Sequence, residues 1–323
     1  MISALFRTNN TLLTTVALVL LGLLLTLVGT MTSLPYMPGL EADFVQGWLR
    51  SWPQWLQWVV SFLALVVPAW LLNLLFTDMK LGREAHGWFG LAYLLIAGSV
   101  TEWLSFHPAV LCTPLFAYIL RNLMIVSSSP RQLQLVFDAG FLASLCFLLY
   151  QPAAVLFPAT LLGIILGGVF RLRALLVWLL GYATPLYLLA GGLYLTGHLE
   201  LLQGWFDFDL LFTYSLRELS DPQKLLAALG LSMLFFGLLM SFTSVNMKTN
   251  ALRNTQRMFL ILLGSALVAV LLMPGDSWYI ASLFIPIGAF FLGRFLESVQ
   301  PVFLLDLLLL VWAGVLVWSL GIF

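Results

Sequence analysis

Residues 12–31, LLTTVALVLLGLLLTLVGTM, decide the fold class of this chain. The stretch contains no charged residue, and a helix needs about 20 apolar residues to cross a hydrocarbon core about 30 Å thick. Lipid offers the backbone no hydrogen-bond partners, so such a run must be helical. Because no small-residue cleavage site closes the run, we interpret it as a retained first span and not as a signal peptide.

The composition of the whole chain agrees with this interpretation. Of its 323 residues, 62% are hydrophobic and 9% are charged, whereas a soluble domain carries roughly 25% charged residues. The formal net charge is zero, so no bulk electrostatic attraction to nucleic acid is expected. We therefore expect a single integral membrane domain over residues 1–323, surrounded by membrane lipid and without a nucleic-acid partner.

Apolar runs of similar length recur along the chain and predict an all-α, polytopic transmembrane bundle of about eleven spans. The predicted spans are 12–31, 57–76, 88–105, 108–126, 135–150, 152–170, 174–196, 225–243, 258–274, 279–295 and 301–321. Gln151-Pro152 separates the fifth and sixth spans, either as a tight turn or as a break within one helix.

The distribution of positive charge predicts the orientation. With the N-terminus in the cytoplasm, eleven of the fourteen Lys and Arg residues fall on the cytoplasmic side, where Lys and Arg are enriched. These eleven are Arg7, Lys80, Arg83, Arg121, Arg131, Arg171, Arg173, Lys248, Arg253, Arg257 and Arg294. Eleven spans then place the C-terminus outside.

Two outer segments, 32–56 and 198–223, are longer than simple turns and are predicted to lie at the interface. In the first, Trp48, Trp52 and Trp55 follow helical spacing. This pattern is typical of a helix along the membrane surface with its indoles among the headgroups. The second segment alternates acidic and aromatic residues, which again favours interfacial structure over a water-exposed domain.

Glu41 and Asp43 are the candidate catalytic residues. In an extended chain, side chains two residues apart face the same way, so the two carboxylates could share a proton or a divalent metal ion. At the outer surface they could act on a lipid-linked substrate as a base or as metal ligands. The other interpretation is a solvated polar loop.

The most polar stretch of the chain, residues 246–257, carries Lys248, Arg253 and Arg257. On the cytoplasmic side these cations could bind lipid phosphates. The competing interpretation is an ordinary cytoplasmic loop that follows the positive-inside rule.

Two acidic residues within the predicted spans are further candidates. Asp306 stands near the start of the last span, where a buried charge is costly and usually faces a partner or a cavity. It could instead reach the headgroup region beside Arg294. Glu102, near the outer end of the third span, could pair with His107 or be interfacial.

Asp138 and the two cysteines have mainly structural interpretations. Asp138 could cap the start of the fifth span or bond to Arg131 or Arg121. Cys112 and Cys146 lie in the outer halves of neighbouring predicted spans, so a disulfide is conceivable. A free cysteine in an apolar helix, however, usually behaves as a small hydrophobe.

Several motifs resemble a family of multi-pass inner-membrane proteins of Bacteroidetes that contains a domain of unknown function. They are the opening MISALFRTNN, the block LVFDAGFL at 135–142 continuing to Tyr150-Gln151-Pro152, and Phe170-Arg171 followed by GYATP at 181–185. The resemblance extends over most of the chain. It implies the class and the location of the protein but no particular chemistry.

A second resemblance is to membrane-embedded glycosyltransferases that use polyprenyl-phosphate sugars. Their acidic first outer loop, followed by surface helices, is similar to Glu41 and Asp43 followed by residues 48–55. The resemblance implies a polyprenyl-phosphate lipid as substrate. This chain lacks the large soluble outer domain of those enzymes and a clear Asp-Asp or Asp-Glu pair.

The sequence leaves three functional hypotheses. The first is glycosyltransferase-like or polymerase-like handling of lipid-linked sugars at the outer face of the cell envelope. The second is a non-catalytic subunit or scaffold in a membrane protein complex. The third is a transporter with Asp306 and Glu102 in its pathway, although the spans contain few strongly polar midplane residues.

Overall fold

The computed structural model describes Phe6, Leu104 and residues 11–31, 51–78, 87–99, 106–127, 129–169, 171–201, 221–243, 250–272, 277–299 and 302–319. All regular elements in these ranges are helices. The α-helices are α1 (Thr11–Met31), α2 (Gln54–Asp78), α3 (Trp88–Gly98), α4 (Pro108–Ile125), α5 (Gln132–Leu149), α6 (Leu156–Leu166), α7 (Leu172–Thr196), α8 (Asp221–Thr243), α9 (Asn250–Leu272), α10 (Ser277–Leu283), α11 (Ile285–Ser298) and α12 (Val302–Ser319). A short 3-10 helix, Gln151–Val155, precedes α6.

The predicted all-α class is confirmed for the described residues, and a helix overlaps each predicted span. Five helices, α1, α2, α4, α5 and α7, are long and apolar enough to cross a membrane. The prediction was wrong in detail at 279–295, where α10 and α11 are separate helices that meet at Phe284. Pro286 lies in the first turn of α11, where a missing backbone N–H costs little.

The chain turns back between α5 and α6. The break begins at Tyr150, whose backbone is extended (φ −146°). Trp178 on α7 then contacts both helices: its carbonyl faces Gly140 of α5, and its Nε1–H donates to Thr160 Oγ1 of α6 at 3.2 Å. Since the middles of α5 and α6 reach the same residue, they are two packed helices and not one broken helix.

Helices α3 and α11 occupy the centre of the bundle. Every residue of α3 from Trp88 to Gly98 is buried, as is α11 from Ile285 to Gly293. The two helices pack against each other, with Gly293 facing the ring of Phe89. A helix that is apolar on all sides is typical of such a central position.

Four phenylalanines from four helices fill the space around this central pair. Phe76 of α2 lies 4.7 Å from Phe89 of α3 and 5.4 Å from Phe290 of α11, measured between ring centroids. Phe259 of α9 completes the group, with its ring 4.8 Å from that of Phe290. Phe76, Phe259 and Phe290 are fully buried and Phe89 is nearly so. Aromatic packing therefore holds these four helices together.

Helices α5 and α7 run parallel and in very close contact. A Cβ added at Gly140 would collide with the carbonyl oxygen of Trp178, and one added at Gly181 with the carbonyl oxygen of Phe137. Small residues at such an interface let two backbones approach closely, as in membrane helix pairs generally. Phe147 and Leu193, near the C-terminal ends of the two helices, share a second small cluster.

Helix α7 has one buried stripe and a broad exposed apolar face. Its buried residues include Ala174, Trp178, Gly181 and Pro185, which form one stripe at helical spacing. The rest of its surface is apolar and exposed, with Leu188 64% and Leu195 84% accessible. A broad exposed apolar face of this kind is suited to lipid and not to water.

Helices α2 and α4 point in the same direction. Their starts are joined by Trp52 and Phe106, whose ring centroids lie 6.1 Å apart. Further along, Thr113 Oγ1 of α4 lies 3.4 Å from the carbonyl oxygen of Ala64 of α2. Both helices therefore end at the same end of the bundle.

That shared end carries most of the positive charge of the described residues, and we call it the basic end. The C-terminus of α4 lies there, one short loop before α5, and α5 and α7 begin around a common cleft. Phe259, near the start of α9, packs on Phe76, near the end of α2. The cations with described side chains at this end are Arg121, Arg131, Arg171, Arg173, Arg257 and Arg294.

Lys224 lies at the opposite end of the bundle. It is near the start of α8, and six residues later Gly230 faces Ser99 beyond the C-terminal end of α3. From there α8 runs towards the basic end. There the ring of Phe236 stacks on that of Phe295 of α11, with the ring centroids 6.2 Å apart.

We expect Gly181→Ala to lower the stability of the protein by about 1–3 kcal/mol, because the added methyl group must displace the backbone of Phe137. Gly191→Ala is the matched control on the same helix, since no atom lies within 4 Å of a Cβ at that position. Thermal unfolding of the detergent-solubilised protein, followed by tryptophan fluorescence, compares the two. Equal melting temperatures would contradict the close α5–α7 contact.

Candidate functional site

The structure describes only some of the predicted site residues. Glu41, Asp43, Glu102 and Lys248 lie outside the described residues. Arg253 lies in the first turn of α9, but its side chain is outside the described part. Arg257 follows one turn later at the basic end and is exposed. The roles predicted for all six stay predictions.

Asp306 is the fifth residue of α12 and is half-buried. Trp312, further along α12, donates from Nε1 to Ser99 Oγ at 3.1 Å, beyond the C-terminal end of α3. Asp306 therefore lies on the basic-end side of this contact. Arg294, its predicted neighbour, donates from Nη1 to Glu297 Oε2 at 3.0 Å on its own helix.

A group of buried polar residues, His107, Tyr150 and Gln151, lies at the end opposite the basic end; we call it the histidine cluster. Each is less than 5% exposed. His107 immediately precedes α4, Tyr150 terminates α5, and Gln151 begins the 3-10 helix. The rings of His107 and Tyr150 meet edge to face with centroids 5.6 Å apart.

His107 serves as the N-cap of α4. Its backbone is extended, and its Nδ1 accepts a hydrogen bond from the backbone N–H of Ala109 at 3.1 Å. Pro108 follows at the first helical position, where proline is favoured. Because Nδ1 is an acceptor here, only Nε2 is left to carry a proton, so His107 can donate a hydrogen bond. This geometry supports a structural role for His107 more than a catalytic role.

Cys112 and Cys146 lie deeper, on the contact between α4 and α5. Both are free thiols and fully buried. The Sγ of Cys112 donates to the carbonyl oxygen of Cys146 at 3.5 Å, and the reverse contact measures 3.8 Å. The structure therefore has no disulfide between them, and they act as small apolar residues with weak S–H donors.

The start of α2 is packed against the helices that carry the histidine cluster. The Trp52 and Phe106 rings are in contact, and both pack against a small apolar group formed by Phe147 and Leu193. Gln57 Nε2 donates to the carbonyl oxygen of Trp52 at 3.0 Å and fixes the turn that enters α2. The C-terminal part of the outer segment 32–56 therefore lies at this end.

The described residues provide no metal centre. Nowhere in the described ranges do three His, Cys, Asp or Glu side chains come close enough to hold a metal ion. A divalent metal at Glu41 and Asp43 therefore stays a prediction from the sequence.

The predicted capping role of Asp138 is wrong. Helix α5 begins at Gln132, earlier than hydropathy indicated, so Asp138 is its seventh residue and Arg131 is the N-cap. Polar residues extend the helix beyond its apolar run, which is why the boundary was misplaced. Among the described residues, Asp138 forms no ion pair with Arg131 or Arg121.

Sequence reasoning considered His107 only as a partner of Glu102 and missed its capping role. The signal was present, because a polar residue directly before Pro108 at the start of an apolar run is typical of a helix N-terminus. The meeting of His107 with Tyr150 and Gln151 carried no such signal, since it depends on how α4 packs on α5.

Comparisons of the chain with protein-family models, with curated proteins and with solved structures find no match. The two resemblances therefore rest on the sequence motifs alone.

We expect His107→Ala to destabilise the protein by about 1 kcal/mol, because the N-terminus of α4 loses its side-chain acceptor. His107→Asn should restore most of this stability, since asparagine is among the best N-cap residues. Thermal unfolding of both variants beside the wild type tests this role. If alanine and asparagine are equally destabilising, His107 acts through something other than the cap.

Proposed function

We propose that this chain is a multi-pass protein of the bacterial inner membrane that crosses the bilayer about eleven times, with its N-terminus in the cytoplasm and its C-terminus outside. Two observations support this topology. Helices overlap all the predicted spans, and the six described cations of the basic end all belong to the set that the positive-inside rule assigns to the cytoplasm.

We further propose that it handles lipid-linked sugars at the outer face, in the manner of the polyprenyl-phosphate glycosyltransferases it resembles. The observation that carries this proposal is the packing of Trp52 on Phe106, at the end opposite the basic end. Glu41 and Asp43 precede Trp52 in the same predicted outer segment, and we propose that they lie at the outer surface as well. They would act as a base or as ligands of a divalent metal ion.

The packing at the centre of the bundle weighs against a transporter. Helices α3 and α11 carry no charged residue from Trp88 to Gly98 or from Ile285 to Gly293, whereas an alternating-access protein needs a polar binding site near the midplane. The alternative hypothesis is that the chain is a non-catalytic subunit of an envelope complex. This hypothesis predicts a stable protein partner.

Thiol labelling tests the topology. With Cys112 and Cys146 replaced by alanine, we introduce Ser127→Cys, between α4 and α5, or His198→Cys, just after α7. A membrane-impermeant maleimide added to cells with a permeabilised outer membrane should label His198→Cys directly and Ser127→Cys only after lysis. The reverse pattern, or equal labelling, contradicts the proposed orientation.

Complementation tests the site. In a deletion strain of the native host, we expect the double variant Glu41→Gln, Asp43→Asn to be made at normal levels and to fail to restore the envelope phenotype. The conservative amides remove the charges that a base or metal site requires. Glu200→Gln, an exposed carboxylate after α7, is the matched control and should complement.

Intact mass analysis of gently purified wild-type protein accompanies this test. A bound polyprenyl-phosphate lipid supports the transferase proposal. Full complementation by the double variant, together with a stoichiometric protein partner, would replace it with the subunit alternative.

A further inference from the structure

A cleft of about 470 Å³ opens at the basic end between the start of α5 and the start of α7. Three arginines line it: Arg131, Arg171 and Arg173. Its remaining lining comes from the same two helix starts and the turn before α7, namely Pro130, Gln132, Leu133, Gln134, Val169 and Ala174. In the predicted phosphate site at Lys248, Arg253 and Arg257, Arg257 is the residue with a described side chain, and it does not line this cleft.

The cleft has positive charge without a matching negative charge. No carboxylate lines it, and within the described residues none of the three arginines forms an ion pair. The only acidic residue of α5 is Asp138, seven residues beyond Arg131 and about 10 Å further along the helix axis. The three exposed arginines therefore give the lining of the cleft a net positive charge, which favours the binding of an anion.

The two helix starts add to this preference for an anion. Arg131 and Arg171 are the N-caps of α5 and α7, and neither helix has a side-chain cap. The first-turn N–H groups of a helix lack intrahelical partners, and the helix dipole places partial positive charge there. Two long helices of 18 and 25 residues therefore both direct their positive ends to one cleft.

The close packing of α5 on α7 is what brings these starts together. Gly140 and Gly181 hold the two backbones side by side in parallel, so the arginines between two and three turns before them lie at the same end of the helix pair. The chain reaches α7 through Gly168, whose positive φ of 72° allows the tight turn that ends α6. The cleft therefore results from the packing of α5 on α7 and not from the conformation of loops alone.

We propose that this cleft binds a phosphate group, held by Arg131, Arg171 and Arg173 and by the N-termini of α5 and α7. Arginine suits this ligand because its planar fork donates two parallel hydrogen bonds to phosphate oxygens. The phosphate belongs either to the headgroup of an anionic membrane lipid or to a small soluble phosphorylated molecule. The site lies at the end opposite the histidine cluster and does not depend on the proposed function.

Direct binding to the full-length, delipidated protein in neutral detergent tests the proposal. Short-chain phosphatidic acid is the lipid probe, followed by native mass spectrometry, and inorganic phosphate is the soluble probe, followed by thermal shift. The test variant is Arg171→Gln, Arg173→Gln. The control is Arg121→Gln, which removes a cation at the same end but outside the cleft.

We expect the double variant to bind its probe on the order of tenfold more weakly or worse, while the Arg121 control binds like the wild type. Retention of phosphatidic acid that inorganic phosphate cannot displace assigns the site to a lipid headgroup. A thermal shift with inorganic phosphate, together with displacement of the lipid, assigns it to a soluble phosphate. Both outcomes support a phosphate site.

Two results would overturn the proposal. One is unchanged binding in the double variant, and the other is an equal loss in the Arg121 control, which would mean that the probe senses only the general positive charge of this end. Should the glutamine variant fail to fold, Arg171→Lys, Arg173→Lys keeps the charge and removes the paired donors. It should bind more weakly than the wild type at an unchanged melting temperature, and wild-type binding in this variant would also overturn the proposal.

Discussion

The contact between α3 and α11 is the interaction on which the arrangement of the other helices depends. Both helices are buried along most of their length, so the remaining helices are positioned by what they pack against at this centre. Phe76 and Phe259 bring α2 and α9 to it through ring contacts, and Gly98 admits the indole of Trp312 from α12. Polar contacts at the centre are few and local, as in the hydrogen bond from Tyr93 to Thr113 at 3.1 Å. Shape complementarity of apolar side chains therefore determines the bundle, as expected where lipid removes most of the hydrophobic drive between helices.

A second helix pair, α5 with α7, connects packing to charge. Its glycine contacts force two parallel helices together, and parallel helices present like ends to each other. The partial positive charges of both helix starts and the charges of their arginines therefore add at one end. In an antiparallel pair, the positive end of one helix dipole would lie beside the negative end of the other. The same parallel arrangement requires a returning helix between the two, and α6 fills that role, held to Trp178 by Thr160. Three consecutive helices thus form a unit in which the direction of each follows from its neighbours.

Much of this fold could be predicted from the sequence, and the failures have a physical pattern. The positions of α1 and α2 follow from uninterrupted apolar runs, because length and hydropathy suffice where one helix fills the run. The break between α10 and α11 at Phe284 was missed, since the residues on both sides are apolar and hydropathy does not register a change in backbone direction. Arg171 was recognised only as a cytoplasmic charge, and Arg131 as a cytoplasmic charge or a partner of Asp138. Their convergence depends on the parallel packing of their helices, which no local pattern records. The helix cap at His107 could be predicted from the Pro108 that follows it, whereas the contact of His107 with Tyr150 could not.

The central position of α3 has a consequence for how the protein is made. Helix α3 ends at Gly98 and its main partner α11 begins at Ile285, so roughly 190 residues must be synthesised before the pair can form, on the order of 10–40 s at about 5–20 residues per second. During this interval the face of α3 that later meets α11 is covered only by lipid or by the insertion machinery. The N-terminal helices can settle early through their own contacts, yet the bundle closes only when its C-terminal part arrives. A chain released too soon therefore has an open centre, a defect that membrane quality control can recognise before any function is tested.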